Sequence, residues 1–185
     1  MDNSSNKNAR KVITGKDTRW AFANVWKARD YNGGRPRYSV CLIIPKTDDI
    51  TILKIKGAMR AAYNEGRNTL QDSDGTLPPL KSIQSPVRDG DTERPSDPAF
   101  RNAWFLNAHS TTAPGIVDEN RDPIENRSEV YSGVYGRASI TLYAYNHDGV
   151  KGISCCLNNL QKLRDGEPLG RLSAAEDFAG DDYLD

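Results

Sequence analysis

Apolar and polar residues alternate most regularly in the stretch "YSGVYGRASITLYAYN". Val134, Ala138, Ile140, Leu142 and Ala144 fall on one side of a pleated strand, and Tyr135, Arg137, Ser139, Thr141, Tyr143 and Tyr145 on the other. That pattern predicts a strand with one buried face, turned by "HDG" into a second strand, "VKGISCCLNNLQKL". Nearer the N-terminus, "RWAFANVWKA" places Trp20, Phe22, Asn24 and Trp26 on one face and Arg19, Ala21, Ala23, Val25 and Lys27 on the other. "DYNGGRP" reads as a hairpin turn into "RYSVCLII", a β-branched run that Pro45 ends. "AWFLNAHS" (103–110) and "GIV" (115–117) predict further strands.

A helical period occurs once, where Ile52, Ile55, Met59, Ala62 and Tyr63 share a face. Thr47 is the expected N-cap, with Asp48 and Asp49 in the first turn, and Gly66 the expected stop. From Gln71 to about Ala103 five prolines and little periodicity predict a long loop. Short strands with one helix among them describe a mainly β (α+β) fold, a small Greek-key barrel with an inserted helix, and not alternating βαβ units. A chain of 185 residues with 37% hydrophobic residues suits one core. We therefore expect a disordered N-terminus over 1–10, one domain over 11–173, and a disordered tail over 174–185.

The tail changes the picture of charge. Formal net charge is zero, yet "AAEDFAGDDYLD" at the C-terminus holds five acids and no base. All 25 basic residues and 20 of the 25 acidic ones precede it, leaving a body of about +5. The first 46 residues hold ten bases against three acids. No apolar run approaches the roughly 20 residues of a membrane span, and "MDNSSNKNAR" lacks the apolar centre of a signal peptide, so a cytoplasmic protein without a membrane partner is expected. Cys41, Cys155 and Cys156 lack C-x-x-C spacing and read as buried thiols, while two histidines are too few for a zinc site, so no metal and no cofactor is expected.

The second face of the 135–145 strand mixes rings, a guanidinium and hydroxyls. Rings stack on any base and cations neutralise phosphates, so this mixture suits a single-stranded nucleic acid. The first hairpin repeats it, with Trp20, Trp26, Tyr31 and Tyr38 among Arg19, Lys27, Arg29, Arg35 and Arg37. Core packing and base stacking are level alternatives for Trp20, Phe22 and Trp26, because tryptophan is highly buried on average. Tyr135, Tyr143 and Tyr145 lean to binding because their neighbours on that face are polar. The expected groove is lined by Trp20, Trp26, Arg35, Arg37, Tyr38, Tyr135, Arg137 and Tyr143. Duplex-reading motifs are absent.

Two rival readings stand beside this non-enzymatic one. "RDGDTE" spaces Asp89, Asp91 and Glu93 two residues apart, and such oxygen ligands can hold magnesium in a nuclease, although acids beside glycine in a proline-rich loop are more often turn formers. Alternatively, the aromatic strands form a subunit interface of a structural protein, and a homodimer is compatible with either reading.

"LPPLKS", "RDGD", "YSGVYGRASITLYAYN" and "GISCCLNNLQKLRDGEPLG" together resemble the phage-encoded single-stranded DNA-binding proteins of the DUF2815 type, over about Thr14 to Gly170. The most specific block is Asn158, Asn159, Gln161, Lys162, Arg164, Gly166, Glu167, Pro168, Leu169 and Gly170. The resemblance implies an OB-fold that coats single-stranded DNA in phage DNA replication or recombination, in the host cytoplasm, and an acidic C-terminal tail. Such a tail is expected to compete with DNA for a basic groove and, once displaced, to recruit replication or recombination proteins through Phe178, Tyr183 and Leu184; a tail that only aids solubility is the alternative.

Overall fold

The structure is a computed structural model that describes residues 9–30 and 33–170. Tyr31, most of the expected N-terminal segment and the whole acidic tail lie outside the described residues. The described residues form eight strands: β1 (Lys11–Ile13), β2 (Arg19–Arg29), β3 (Arg37–Pro45), β4 (Arg88–Asp89), β5 (Ala103–Ser110), β6 (Gly115–Val117), β7 (Tyr135–His147) and β8 (Val150–Arg164). Helix α1 (Asp49–Glu65) and two short helices, α2 (Arg67–Leu70) and α3 (Gly90–Glu93), lie between β3 and β5.

Five strands close on themselves. β2 pairs β3, β3 pairs β5, β5 meets β8 in parallel at His109 and Cys156, and β8 runs antiparallel to β7 along most of its length. β7 returns to β2 through the Arg19 and Tyr135 pair, with the Trp20 N–H on Val134 O at 3.0 Å and the Gly136 N–H on Thr18 O at 2.9 Å. The cycle β2-β3-β5-β8-β7 is the partly open Greek-key barrel of an OB-fold. β1 and β6 extend it on β7 and β8, and β4 pairs with β5.

Alternation along β7 follows the sequence pattern: Ala138, Ile140 and Leu142 are buried, while Tyr135, Arg137, Ser139, Thr141 and Tyr143 keep contact with solvent. Trp20, Val40, Leu42, Leu106, Ile153 and Leu157 complete the interior. One end is covered by α1, which turns Ile52, Ile55, Ala58 and Ala62 inward against β7 and β1. Its N-cap is Asp48, one residue later than expected. The Asp48 carboxylate accepts the Thr51 N–H at 3.1 Å and the Thr51 hydroxyl at 2.7 Å, and that hydroxyl accepts the Gly15 N–H. A carboxylate one position nearer the helix thus satisfies donors that Thr47 does not reach. Gly66 ends α1 as expected, and a Cβ there would overlap Ala144 Cβ.

The proline-rich 71–102 segment is built and not a bare loop. Tyr63 OH donates to Pro78 O at 2.9 Å, Gln84 exchanges two backbone hydrogen bonds with Lys151 and Ile153, and Phe100 packs edge-to-face on Phe105 at 5.0 Å. Prolines punctuate it, while contacts distant in sequence order it. Phe100, Ala103 and Phe105 join Ala21, Cys41 and Ile43 in a second apolar cluster on the outside of the barrel. All three cysteines are free thiols, Cys41 and Cys155 buried and Cys156 half-buried. Among the described residues, no helix is long and apolar enough to cross a membrane.

Candidate nucleic-acid interface

Strand pairing carries the outward residues of four strands into one polar face. On β3 these are Arg37 and Ser39; on β5 they are Asn107, which pairs with Cys41, and His109, which pairs with Ser39. His109 then pairs with Cys156 of β8, which pairs with Thr141 of β7. Hydrogen bonds tie the face together: His109 Nε2 lies 3.1 Å from Tyr143 Oη, and the Asn158 amide donates to Thr141 Oγ1 at 2.9 Å. Lys11 of β1, opposite Thr141, and Arg137 stand exposed at its far side.

At the near side the β2–β3 hairpin and this face enclose a cleft of about 400 Å³, lined by Arg29, Gly34, Arg35, Arg37, Ser39, Asn107 and His109. Arg29 and Arg37 are direct cross-strand partners. Like charges in that position repel. The three guanidinium groups make no ion pair or hydrogen bond to any described residue, and no carboxylate lines the cleft. Burial holds the His109 pKa below its ordinary value and the nearby Arg37 charge lowers it further, so its imidazole is neutral near pH 7. The cleft therefore offers three cations, one neutral imidazole and two short polar side chains to an anion.

Of the eight residues expected to line the groove, Arg35 and Arg37 line this cleft, Tyr143 stands on the adjoining face through His109, and Arg137 is exposed further along β7. The other four are placed elsewhere. Trp20 is a correction: it is fully buried, with its indole N–H on Gly136 O at 3.2 Å, and cannot meet a base. Trp26 packs against the core, its N–H on Val130 O at 3.2 Å. A β-bulge between Ala21 and Asn24 breaks the alternation that had put both tryptophans on one face with Phe22. Tyr38 is half-buried and shares the strand side of Val40, Leu42 and Ile44, opposite to Arg37.

Tyr135 is committed to a structural clasp. Arg19 and Arg164 lie over its ring, with guanidinium carbons 5.1 and 4.1 Å from the centroid. Arg19 also donates to Gly133 O and Glu167 O, Tyr131 OH donates to Gly166 O at 2.9 Å, and the Leu169 N–H donates to Ser132 O at 2.8 Å. These contacts pin the "GEPLG" segment across the start of β7 and explain that block of the sequence.

Sequence reading missed Asn107, His109 and the part of Arg29 in the cleft. The alternation Leu106 in, Asn107 out, Ala108 in, His109 half-out carried the signal. Tyr145, the third tyrosine of β7, is engaged by the 71–102 segment, its hydroxyl donating to Gln84 Oε1 at 3.1 Å.

The acids of "RDGDTE" serve the fold. Lys46 Nζ lies 2.8 Å from both Asp89 Oδ1 and Asp91 Oδ2; Asp89 also accepts the Asp91 N–H, Asp91 the Asn102 N–H, and Glu93 pairs with Arg88. The hydrogen bonds from Lys46 hold both aspartates below the usual carboxylate range and raise the lysine. A lysine occupies the place a magnesium ion would need. No group of three or more acidic, histidine or cysteine side chains among the described residues could hold a metal ion.

OB barrels carry oligonucleotide sites on their second and third strands and on the loops joining strands one to two and four to five. Here those are β3 and β5, the β2–β3 hairpin and the β7–β8 turn; the cleft lies on the first three, and the polar face continues from them onto β8 and β7. Residues 10–185 match the family described as the single-stranded DNA-binding protein of Enterobacter phage Enc34, and the chain belongs to that family. Putative protein p50 of Acyrthosiphon pisum secondary endosymbiont phage 1 is 26% identical over 172 residues, covering 88% of this chain and 89% of that protein. The fold is also that of the bacteriophage Enc34 single-stranded DNA-binding protein in complex with ssDNA, with TM-score 0.71 and 24% identity over 87% of this chain and 90% of that one. Gp2.5, a single-stranded DNA-binding protein of bacteriophage T7, matches with TM-score 0.64 and 15% identity over 95% of this chain and 96% of that one.

Proposed function

We propose that the protein binds single-stranded DNA across the outer face of β3, β5, β8 and β7, and coats it during phage replication or recombination in the host cytoplasm. One observation carries the reading: three arginines gather around one cleft without a carboxylate partner among the described residues, two of them directly opposed across the hairpin. Such an arrangement is unfavourable until an anion enters it. Phosphates fill the arginine cleft, and bases lie along the His109, Tyr143 and Asn158 face, where a ring and amides serve any sequence. The similar Enc34 protein, seen in complex with ssDNA, and T7 gp2.5, a single-stranded DNA-binding protein, support single-stranded DNA as the ligand.

The acidic segment 174–185 acts on the same face. Leu169 packs against the second apolar cluster, to which Cys41 of β3 belongs, two residues from Ser39 in the cleft. The acids begin six residues beyond Gly170, within about 20 Å of extended chain. They therefore reach the arginines and compete with DNA, and their release presents Phe178, Tyr183 and Leu184 to replication or recombination proteins.

The test is a salt titration of binding to single-stranded DNA, duplex DNA and RNA oligonucleotides. Binding to single-stranded DNA is preferred over duplex and weakens with a log-log slope of about −0.7 per phosphate contacted. Tighter duplex binding or a flat salt response refutes the reading.

A further inference from the structure

Phe22 is the one phenylalanine, tyrosine or tryptophan among the described residues that is predominantly exposed, at 54%. It is also the only non-glycine residue inside a strand with positive φ, +47°. The other three, Asn102, Arg121 and Asp148, lie in turns or connections. A bulky residue in the left-handed region is a strained outlier, and nothing in the "RWAFANVWKA" pattern calls for one. The bulge that imposes this conformation adds one residue to β2 between Ala21, opposite Cys41, and Asn24, opposite Ser39. Without it, Phe22 would continue the alternation that buries Trp20. Bulges of this kind re-aim a side chain, and strain of this kind collects at binding sites.

The ring is aimed at a definite place. The Arg94 guanidinium carbon lies 5.4 Å from its centroid, and 5.2 and 5.9 Å from those of Phe100 and Phe105 in the outer apolar cluster. Arg94 therefore holds Phe22 on the outside of the barrel, at the level of Val40, about 10 Å along β3 from Arg37. A ring steadied by a guanidinium, open to solvent and beside a cleft whose arginines have no partner among the described residues has the makings of a stacking platform for a nucleobase. We propose that Phe22 stacks on a base of the bound single strand, one step beyond the phosphates held by Arg29, Arg35 and Arg37. This deepens the single-stranded DNA reading and rests on it.

The variants are Phe22→Asn and Phe22→Trp in the full chain, with a fluorescein-labelled oligo-dT strand as probe. Asparagine tolerates the left-handed backbone, so Phe22→Asn keeps or raises the Tm and separates stacking from folding. Its affinity for oligo-dT falls by about 5- to 100-fold, the range for losing one base-aromatic stack, while the salt slope stays as in the parent because no phosphate contact is lost. Phe22→Trp binds like the parent and shows indole emission quenched by DNA beyond the parent's own quenching. Parent-like affinity of Phe22→Asn overturns the assignment and leaves the parent's DNA binding standing. A fall in sedimentation mass of Phe22→Asn with unchanged DNA affinity also overturns it, and gives Phe22 to a subunit contact. Failure of the parent itself to bind removes both this assignment and the reading beneath it.

Discussion

Replacing Arg29, Arg35 and Arg37 together by glutamine removes the charge of the cleft while keeping side chains of similar length. Each arginine that neutralises one phosphate contributes about 0.7 to the slope of log K against log salt on a single strand. Three give a slope smaller by about 2. At ~0.1 M salt the same three contacts amount to about 100-fold in affinity, or ~3 kcal/mol. The loss shrinks as salt rises and nearly vanishes toward ~1 M. Stability moves the other way: Arg29 and Arg37 face each other across the hairpin, and relieving a like-charge pair contributes ~0.2 to 1 kcal/mol. The triple variant therefore melts at the parent Tm or up to a few degrees above it. Fluorescence anisotropy with labelled oligo-dT over roughly 50 to 200 mM salt measures the slope, and a thermal melt the stability. An unchanged slope with unchanged affinity refutes the assignment of the cleft to phosphates. A large fall in Tm shows that the arginines have structural partners.

Deleting residues 174–185 raises affinity for single-stranded DNA most at low salt and leaves the Tm unchanged, because it removes five acids tethered near the cleft; equal affinities of the two forms at low salt leave the tail without a competing role. Leu142→Ala empties a fully buried position and lowers stability by ~2 to 5 kcal/mol, whereas Tyr143→Ala keeps most of the Tm and weakens binding. Unfolding of the tyrosine variant would place that ring in the core. Asp89 and Asp91 are held below the usual carboxylate range by Lys46, so their contribution is present above their unfolded pKa of about 3.9 and is lost as pH falls below it. Lys46→Met accordingly narrows the Tm difference between neutral and acid solution while leaving DNA affinity in place, as followed by melts from about pH 7 down through pH 4.

The parts of the fold legible in the sequence are those where one strand or helix decides its own faces. β7 buries Ala138, Ile140 and Leu142 as its alternation requires, and α1 buries Ile52, Ile55 and Ala62. Misplacements arise where distant residues decide. A one-residue bulge at Phe22 turns that ring outward, away from the face that buries Trp20, without any local turn residue to announce it. Tyr135 has polar neighbours, as a binding ring would, but Arg19 and Arg164 come from two other strands to cover it. Asp89 and Asp91 look like ligands until Lys46, more than 40 residues earlier in the chain, is seen between them. Arg35 and Arg37 were legible because a glycine turn exposes them whatever the rest of the barrel does. His109 and Asn107 gain their place only from the pairing of β5 with β3 and β8.

Cys156 lies in the middle of the proposed path, on the outer side of β8 between His109 and Thr141, and is the one half-buried thiol; Cys41 and Cys155 are buried. Burial raises the Cys41 thiol to about 12 and raises Cys155 as well, leaving both nearly unreactive; burial also raises Cys156, but that residue is only half-buried and open to a reagent. Alkylation of Cys156 at mildly alkaline pH, followed by mass spectrometry with and without saturating oligo-dT, reports directly whether DNA covers that face. The predicted result is modification of Cys156 alone in the free protein, slowed strongly when the DNA site is filled. An unchanged rate of Cys156 alkylation at full DNA saturation would contradict a path across β3, β5, β8 and β7.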